Sequence, residues 1–449
     1  MSSKIFRDPL YNYISIDRGR DQWLVELLDC PEVQRLRRIH QLGVSHFTYP
    51  GADHSRFSHS LGVVHLMQLA LGHISSLGET DPQIERGRHP LLAAALLHDV
   101  GHGPFSHVFE PCLGIDHEKW SCAIIEDSDS PVHKTLVKYD IPVSAVSDLI
   151  RKGDTERPAW QRSLLSSQLD VDRLDYLRRD SLFTGADYGH FDWYRLLTSF
   201  DVHGPADGYR DLVWQERAKF AIEEYIFSRY YMYENVYFHK TTRGFEKLLQ
   251  ATWRRATTLF KEGKNVDLAK PIRNFWKKKK PTARDFLALE EHVVLGQMQQ
   301  WMSHKDPVLS DLSRRFFNRD PLAMIKAPPA NAFGGGIDEW ENALRELVDQ
   351  RGFKPAEYFV LSDNLTEKLY EAKRRDRGPY VPEPEGEEQV PSNAIRVIGD
   401  DGKPVEITQV LSRLAAVTKE PVPQLRYYVP REVREEAAKL RANWPSSGS

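Results

Sequence analysis

The chain has 449 residues, 41% of them hydrophobic and 28% charged, with a formal net charge of -3. That balance excludes a disordered or membrane-embedded chain and leaves no global attraction to nucleic acid. Three cysteines, Cys30, Cys112 and Cys122, are too few and too irregularly spaced for a disulfide framework or a cysteine zinc site, and fit a reducing cytosol.

The first ten residues carry Lys4, Arg7 and Asp8 with no apolar stretch behind them, so they do not read as a secretory signal. The purest apolar run, Leu91 to Leu97, is far shorter than the roughly 20 residues needed to cross a bilayer. A cytoplasmic protein without a membrane anchor is expected.

From Pro31 to His239 apolar positions recur at three- and four-residue spacing, which predicts a helical catalytic core with few strands. Leu61, Val64 and Leu69 follow Ser60, the run Leu91 to Leu97 follows Pro90, and Leu165, Leu169 and Leu177 surround Asp172. The helical pattern continues through Leu249 and Phe260 to the run Lys277 to Lys280, and Pro328, Pro329 and Gly334 to Gly336 then punctuate the chain. The acidic, proline-rich stretch Pro382 to Pro391 reads as an exposed flexible linker. Beyond it Ile395 to Ile407 alternates around Asp401-Gly402, a hairpin signal, before two short helical stretches near Leu411 and Glu432. The expected architecture is mainly α: a catalytic core over 1–265, a helical extension and linker over 266–336, and a smaller mixed α/β lobe over 337–449 that contains the flexible segment 382–391.

The chemistry concentrates in the core. Leu96-Leu97-His98-Asp99-Val100-Gly101 puts an imidazole and a carboxylate side by side at the end of an apolar helix, where Gly101 is expected to stop it. At a frayed last turn the two can converge on one ion, and such a mixed set suits Mn, Fe, Ni or Zn. A lone His-Asp pair is weak evidence. Here His59 lies upstream in Arg56-Phe57-Ser58-His59-Ser60 and Asp172 downstream in Leu169-Asp170-Val171-Asp172-Arg173, both in apolar helical contexts. Burying these groups unpaired costs several kcal/mol, roughly, and one divalent metal held by His59, His98, Asp99 and Asp172 compensates them all. The bland alternative is a set of capping and core-satisfied polar residues.

His, then His-Asp, then Asp on separate helices resembles the HD superfamily of metal phosphohydrolases, whose core is helical. The flanking strings are more specific: Ile39-His40-Gln41-Leu42-Gly43, the run Tyr49 to Gly62 and the run His98 to His107 resemble the dNTP triphosphohydrolases of the SAM-and-HD-domain type, from about Lys4 to Lys240. No sterile-alpha-motif segment precedes the match, the arrangement expected of bacterial members.

The resemblance implies roles residue by residue. Gln41 and Leu42 match the pair that lines the sugar pocket against a 2′-hydroxyl, Tyr176 and Asp180 match sugar contacts, and Arg56, Arg229 and Tyr237 match holders of the triphosphate. His107 and His117 match histidines close to the α-phosphate, with His102 as another pocket histidine and His107 the first choice for protonating the departing 5′-oxygen. Tyr233 stands where the family has a histidine. Independently of the resemblance, Arg229, Tyr233, Tyr237 and Lys240 are spaced to form one stripe on a helix, suited to a polyphosphate or, more plainly, to an aromatic core. Asp29, Gln34 and Arg37 match the family's guanine-reading activator set, although Arg7 stands where the family has an asparagine, and Arg35, Arg37 and Arg38 also read as a solvated basic face.

The implied activity is metal-dependent hydrolysis of a dNTP to deoxynucleoside and triphosphate, with Mg on the nucleotide, GTP or dGTP as activator, and a homotetramer or other homo-oligomer. Two readings compete. One is an HD nucleotidase or phosphodiesterase acting on other nucleotides. The other is a nucleotide- or nucleic-acid-binding regulator that uses Lys277 to Lys280 beside Phe275 and Trp276.

Overall fold

A computed structural model describes residues 3–78, 82–114, 116–151, 158–204, 210–328, 337–365, 394–417 and 424–444. The predicted linker 382–391, Pro329 and the glycines 334–336 lie outside these residues. Strands β1 (Ser3–Asp8) and β2 (Asn12–Asp17) form an antiparallel hairpin. Helices α1 (Arg18–Leu28), α2 (Pro31–Arg35), α3 (Arg56–Ser76) and α4 (Pro82–Leu97) follow. Next come α5 (Glu110–Leu113), α6 (His117–Glu126), α7 (Pro131–Lys138), α8 (Val143–Ile150), α9 (Ala159–Leu165), α10 (Val171–Thr184) and α11 (Trp193–Leu197). Strands β3 (Phe200–His203) and β4 (Asp211–Trp214) separate these from α12 (Lys219–Met232) and α13 (Lys240–Lys261).

The chain continues through α14 (Lys270–Lys277), α15 (Ala283–Leu287), α16 (Glu291–Trp301), α17 (Pro307–Phe317), β5 (Ala323–Lys326) and α18 (Ile337–Gln350). It closes with β6 (Leu361–Leu365), β7 (Arg396–Ile398), β8 (Pro404–Glu406), α19 (Ile407–Val410), α20 (Ser412–Val417), β9 (Gln424–Val429) and α21 (Arg434–Ala442). The fold is mainly helical, as expected. No helix among the described residues is long and apolar enough to cross a membrane.

Helix α4 sits at the centre. Every residue from Leu91 to Leu97 has no solvent exposure, as befits a helix apolar on all sides. Gly62 lets α3 and α10 touch, because a Cβ there would lie 1.8 Å from Asp175 Oδ1.

The predicted hairpin forms: β7 and β8 pair antiparallel in the register Val397↔Val405, with Gly402 at φ 78 in the turn. β7 also pairs parallel with β4 through Trp214↔Val397, so the chain after residue 394 completes a four-stranded sheet, β3-β4-β7-β8, begun by residues 200–214. The helical periodicity left little room for β3 and β4. All four residues of β4 are buried, so it lacks the alternation that marks a half-exposed strand. The three-stranded sheet β5-β9-β6 gathers three distant segments.

One expectation needs correction. Arg229 to Lys240 do not share a helix: α12 ends at Met232, Tyr233–Tyr237 form a π-helical turn, and Lys240 opens α13 behind the cap residue His239, whose side chain accepts from Thr241 N. The wider turn breaks the four-residue stripe.

Candidate active site

A cavity of about 440 Å³ opens among α3, α4, α6, α10 and the Tyr233–Tyr237 turn, with Gln41 and Leu42 on one wall. Asp172, Tyr176 and Asp180 line it at four-residue spacing along one face of α10. Asp170 caps that helix by accepting from Arg173 N at 2.8 Å, which fixes Asp172 in the first turn.

The His-Asp pair lies just past α4. His98 N still bonds Ala94 O, and the chain then turns away. Gly101 is not in the left-handed conformation expected of a helix stop. It is required by contact, since a Cβ would lie 2.1 Å from His117 O and 2.2 Å from Ser121 N. That close approach brings α6, and with it His117, against the site.

The donor atoms of His59, His98 and Asp172 all lie within 4.8 Å of one another. His59 Nε2 is 3.0 Å from Asp172 Oδ1 and 3.3 Å from His98 Nε2, and His98 Nε2 is 3.6 Å from Asp172 Oδ1. Donors about 2.1 Å from one ion sit roughly 3.0 to 3.4 Å apart, so the set fits a divalent metal. The outer nitrogens are tied back: His59 Nδ1 to Asp175 Oδ2 at 2.8 Å and His98 Nδ1 to Ala95 O at 3.0 Å, which aims both Nε2 atoms inward.

Asp99 is less committed. Its Oδ1 is 3.4 Å from His98 Nε2 and 3.2 Å from His102 Nε2, while Oδ2 accepts from Arg56 Nη1. Arg56 thus competes with a metal for one Asp99 oxygen.

The electrostatics favour a cation. Burial alone disfavours a charged His59, yet hydrogen bonds to Asp172 and Asp175 push its pKa up to about 10. Burial likewise opposes charge on Asp172, but His59 and His98 hold its carboxyl well below the usual range. His102 goes the other way: burial, with Arg56 and His117 adding repulsion, keeps it well below an ordinary histidine and neutral at pH 7.

A second histidine group faces the same cavity. His117 Nδ1 bonds Glu110 Oε1 at 2.6 Å and His107 Nδ1 lies 3.3 Å from Oε2, so one carboxylate orients both rings. His102 stacks on His117 at 4.0 Å between ring centroids. His107 follows two residues in the left-handed region, Phe105 at φ 57 and Ser106 at φ 55. Such backbone costs of order 1–3 kcal/mol per residue and persists where the surroundings impose it. Phe105 N donates to buried Glu291 Oε1 at 3.0 Å, and Ser106 Oγ donates to His40 O and accepts from Arg56 Nε, both at 2.7 Å.

On the opposite wall Asp180 bonds His54 Nε2 at 2.7 Å through one oxygen and Tyr237 OH at 2.8 Å through the other. Gln41 is 8% exposed, and its Oε1 is buried with no hydrogen-bond partner among the described residues. Tyr233 lines the cavity, whereas Arg229 stands behind it with its guanidinium 5.4 Å over the Tyr233 ring.

Gln34 and Arg37 are joined away from this cavity, with Asp29 close enough for its charge to act on Arg37. Arg37 Nε donates to Gln34 Oε1 at 2.8 Å, and Lys4 Nζ lies 3.1 Å from Asp29. The solvated-face reading fails for Arg35, which is buried and donates to the carbonyls of His102, Leu287 and Leu289. The regulator reading loses its stacking platform, since Phe275 is buried and Trp276 packs against Trp253 and Phe260. Lys278 is paired with Asp285 at 2.7 Å.

Sequence reasoning did not single out Glu110, Asp175, Arg173 or the pair Arg243 and Glu246, the last three of which line the cavity. Glu110 sits three residues after His107, a spacing that carried a signal. Arg243 and Glu246 carried none, since only the packing of α13 brings them in.

The HD domain family matches residues 56–180. The uncharacterized Bacillus subtilis protein YwfO is 35% identical over 435 residues, covering 96% of this chain and 93% of YwfO. Human deoxynucleoside triphosphate triphosphohydrolase SAMHD1 is 31% identical over 228 residues, 43% of this chain and 35% of that protein. A crystal structure of a phosphohydrolase from Bacteroides thetaiotaomicron superposes with a TM-score of 0.78 at 28% identity, over 96% of this chain and all of the other. The His59, His98, Asp99 and Asp172 constellation and these matches agree: the chain belongs to the HD-domain phosphohydrolase superfamily, in the family of the YwfO-like bacterial proteins, and has the SAMHD1 enzymes among its homologues.

Proposed function

We propose that this chain hydrolyses deoxynucleoside triphosphates to deoxynucleoside and inorganic triphosphate in the cytoplasm, activated by a guanine nucleotide within a homo-oligomer. The observation that carries the reading is the unpartnered acceptor Gln41 Oε1 on the cavity wall beside Leu42. A sugar hydroxyl supplies the missing donor, and Leu42 occupies the adjoining wall. A buried acceptor left unpaired costs about 1–3 kcal/mol, which a bound sugar relieves.

A metal held by His59, His98, Asp172 and Asp99, of the Mn, Fe, Ni or Zn class, supplies Lewis acidity toward the α-phosphate when bound. The protein's own groups do the rest. Arg56, with Arg173 lining the same cavity, offsets polyphosphate charge, and Mg accompanies the nucleotide. Water attacks the α-phosphorus and the bond to the 5′-oxygen breaks, so that oxygen needs a proton. His107 and His117, both steered through Nδ1 by Glu110, present Nε2 for that transfer. His107 remains the first choice as donor. Neutral, buried His102 is the pocket histidine that positions Asp99.

Asp29, Gln34 and Arg37 form the activator patch, with a carboxylate for the guanine N1 and N2 donors and a guanidinium for O6 or a phosphate. The test is incubation of the purified protein with the four dNTPs, separately and mixed, in Mn or Mg. Triphosphate with deoxynucleoside is the expected product. Orthophosphate or a linear nucleotide replaces this reading by a nucleotidase or phosphodiesterase.

A further inference from the structure

We propose that His40, His46 and Asp53 form a second binding site for a divalent transition metal, distinct from the one on α3, α4 and α10. The donor atoms of these three side chains lie within 4.8 Å of one another. His40 Nε2 is 3.1 Å from Asp53 Oδ1, the separation of two donors sharing one ion. The His40 and His46 rings are 5.4 Å apart between centroids. His46 Nδ1 is buried and has no hydrogen-bond partner among the described residues.

His40 is prepared as a ligand. Its Nδ1 bonds Glu291 Oε2, and the Glu291 side chain is only 3% exposed. A carboxylate on the outer nitrogen fixes the ring, sets the tautomer and leaves the Nε2 lone pair facing Asp53, the arrangement by which metal-ligating histidines are held. Asp53 is 71% exposed, so an ion can enter from solvent and complete its coordination with water. Two imidazoles with one carboxylate select Zn, Ni or Co over Mg or Ca. The His46 ring also packs on Phe47 at 4.6 Å between centroids and faces the Gly43 backbone; a plain Glu291-His40-Asp53 ion-pair chain accounts for His40 but not for the approach of the His46 donor to the other two.

The site would act on the catalytic loop. Glu291 Oε1 accepts from His40 N at 2.7 Å and from Phe105 N at 3.0 Å, and Ser106 Oγ donates to His40 O at 2.7 Å. An ion on His40 therefore braces the left-handed Phe105-Ser106 pair that presents His107, and also the residue before Gln41. The site is independent of the nucleotide the cavity takes.

The test counts zinc. Full-length protein is equilibrated with Zn²⁺, desalted and analysed by plasma mass spectrometry, alongside His98→Ala, Asp53→Asn, His46→Ala and the double variant His98→Ala with Asp53→Asn. Two ions are expected in the parent, one in each single variant and none in the double variant. Zn²⁺ titration of the His98→Ala background should weaken by at least about tenfold when Asp53→Asn is added, the scale that loss of an outer-shell partner alone produces. Asp53 is exposed, so its variant folds, and a thermal melt checks this. One zinc in the parent, or two in Asp53→Asn, overturns the site. Retention of both by folded His46→Ala overturns the ligand set.

Discussion

Asp175 Oδ2 holds His59 Nδ1 at 2.8 Å while the same carboxylate pairs with Arg179 Nε at 2.8 Å, and Arg179 Nη1 reaches Asp8 at 2.8 Å. One buried chain of charges thus ties the N-terminal hairpin to the metal-type donor set. Burial opposes charge on Asp175, but Arg179 and His59 keep it ionised, well below the usual carboxylate range. The hairpin therefore belongs to the site's support.

Two substitutions separate ligand from support. Asp172→Ala removes a donor and should abolish turnover together with the ion held by His59 and His98, leaving any ion on His40, His46 and Asp53 in place. Asp175→Asn keeps the shape but loses the charge that orients His59, and metal affinity should fall roughly 10- to 100-fold. Metal content by mass spectrometry, with circular dichroism as the folding check, decides between them. Near-normal hydrolysis and metal in folded Asp172→Ala sinks the assignment.

Sugar discrimination follows from Gln41 and Leu42. dGTP and dATP should be cleaved in preference to GTP and ATP by roughly 10- to 200-fold if sterics act alone. Parallel kinetics on the four nucleotides measure it. Equal rates would remove the sugar-wall role and favour a general nucleotidase.

Arg37 lies on the surface, stacked 3.6 Å over Phe57, so its contribution to activator binding is that of an exposed charge. Arg37→Ala should weaken activation by dGTP or GTP by about fivefold, on the order of 1 kcal/mol, with the metal centre intact. A larger loss indicates that oligomer assembly buries the patch. Unchanged activation, or full-rate hydrolysis of each dNTP alone, removes the activator role.

Glu246 sets a pH dependence. Burial pushes its carboxyl up to about 7, despite the nearby Arg243. Because the folded value exceeds the unfolded one, the folded state binds the extra proton, and this contribution is full below about pH 4.5 and lost as pH rises through about 7. Glu246→Gln should therefore gain stability relative to the parent on going from pH 5 to pH 8, by up to about 3 kcal/mol. Denaturant melts at the two pH values test it, and a parallel pH response of the two proteins refutes it.

That His59, His98, Asp99 and Asp172 would share one cavity with Gln41 and Leu42 was legible in the chain because each sits in a short, distinctive string. Helical periodicity was legible for the same reason, being a property of residues three and four apart. So was the β7–β8 hairpin, set by a local turn. What the sequence could not state is which residues support the donors. Glu110, Asp175 and Glu291 orient histidines, two of those three links running between segments more than a hundred residues apart, and carboxylates that serve such roles look like any others along the chain. The π-helical turn at Tyr233 broke a stripe that spacing alone implied. The parallel pairing of Trp214 with Val397 joined segments no local pattern connects. Local spacing fixes which side chains share a helix face; only the packing of α3, α4, α10 and α16 decides which charges face one another in a medium too dry to leave them unpaired.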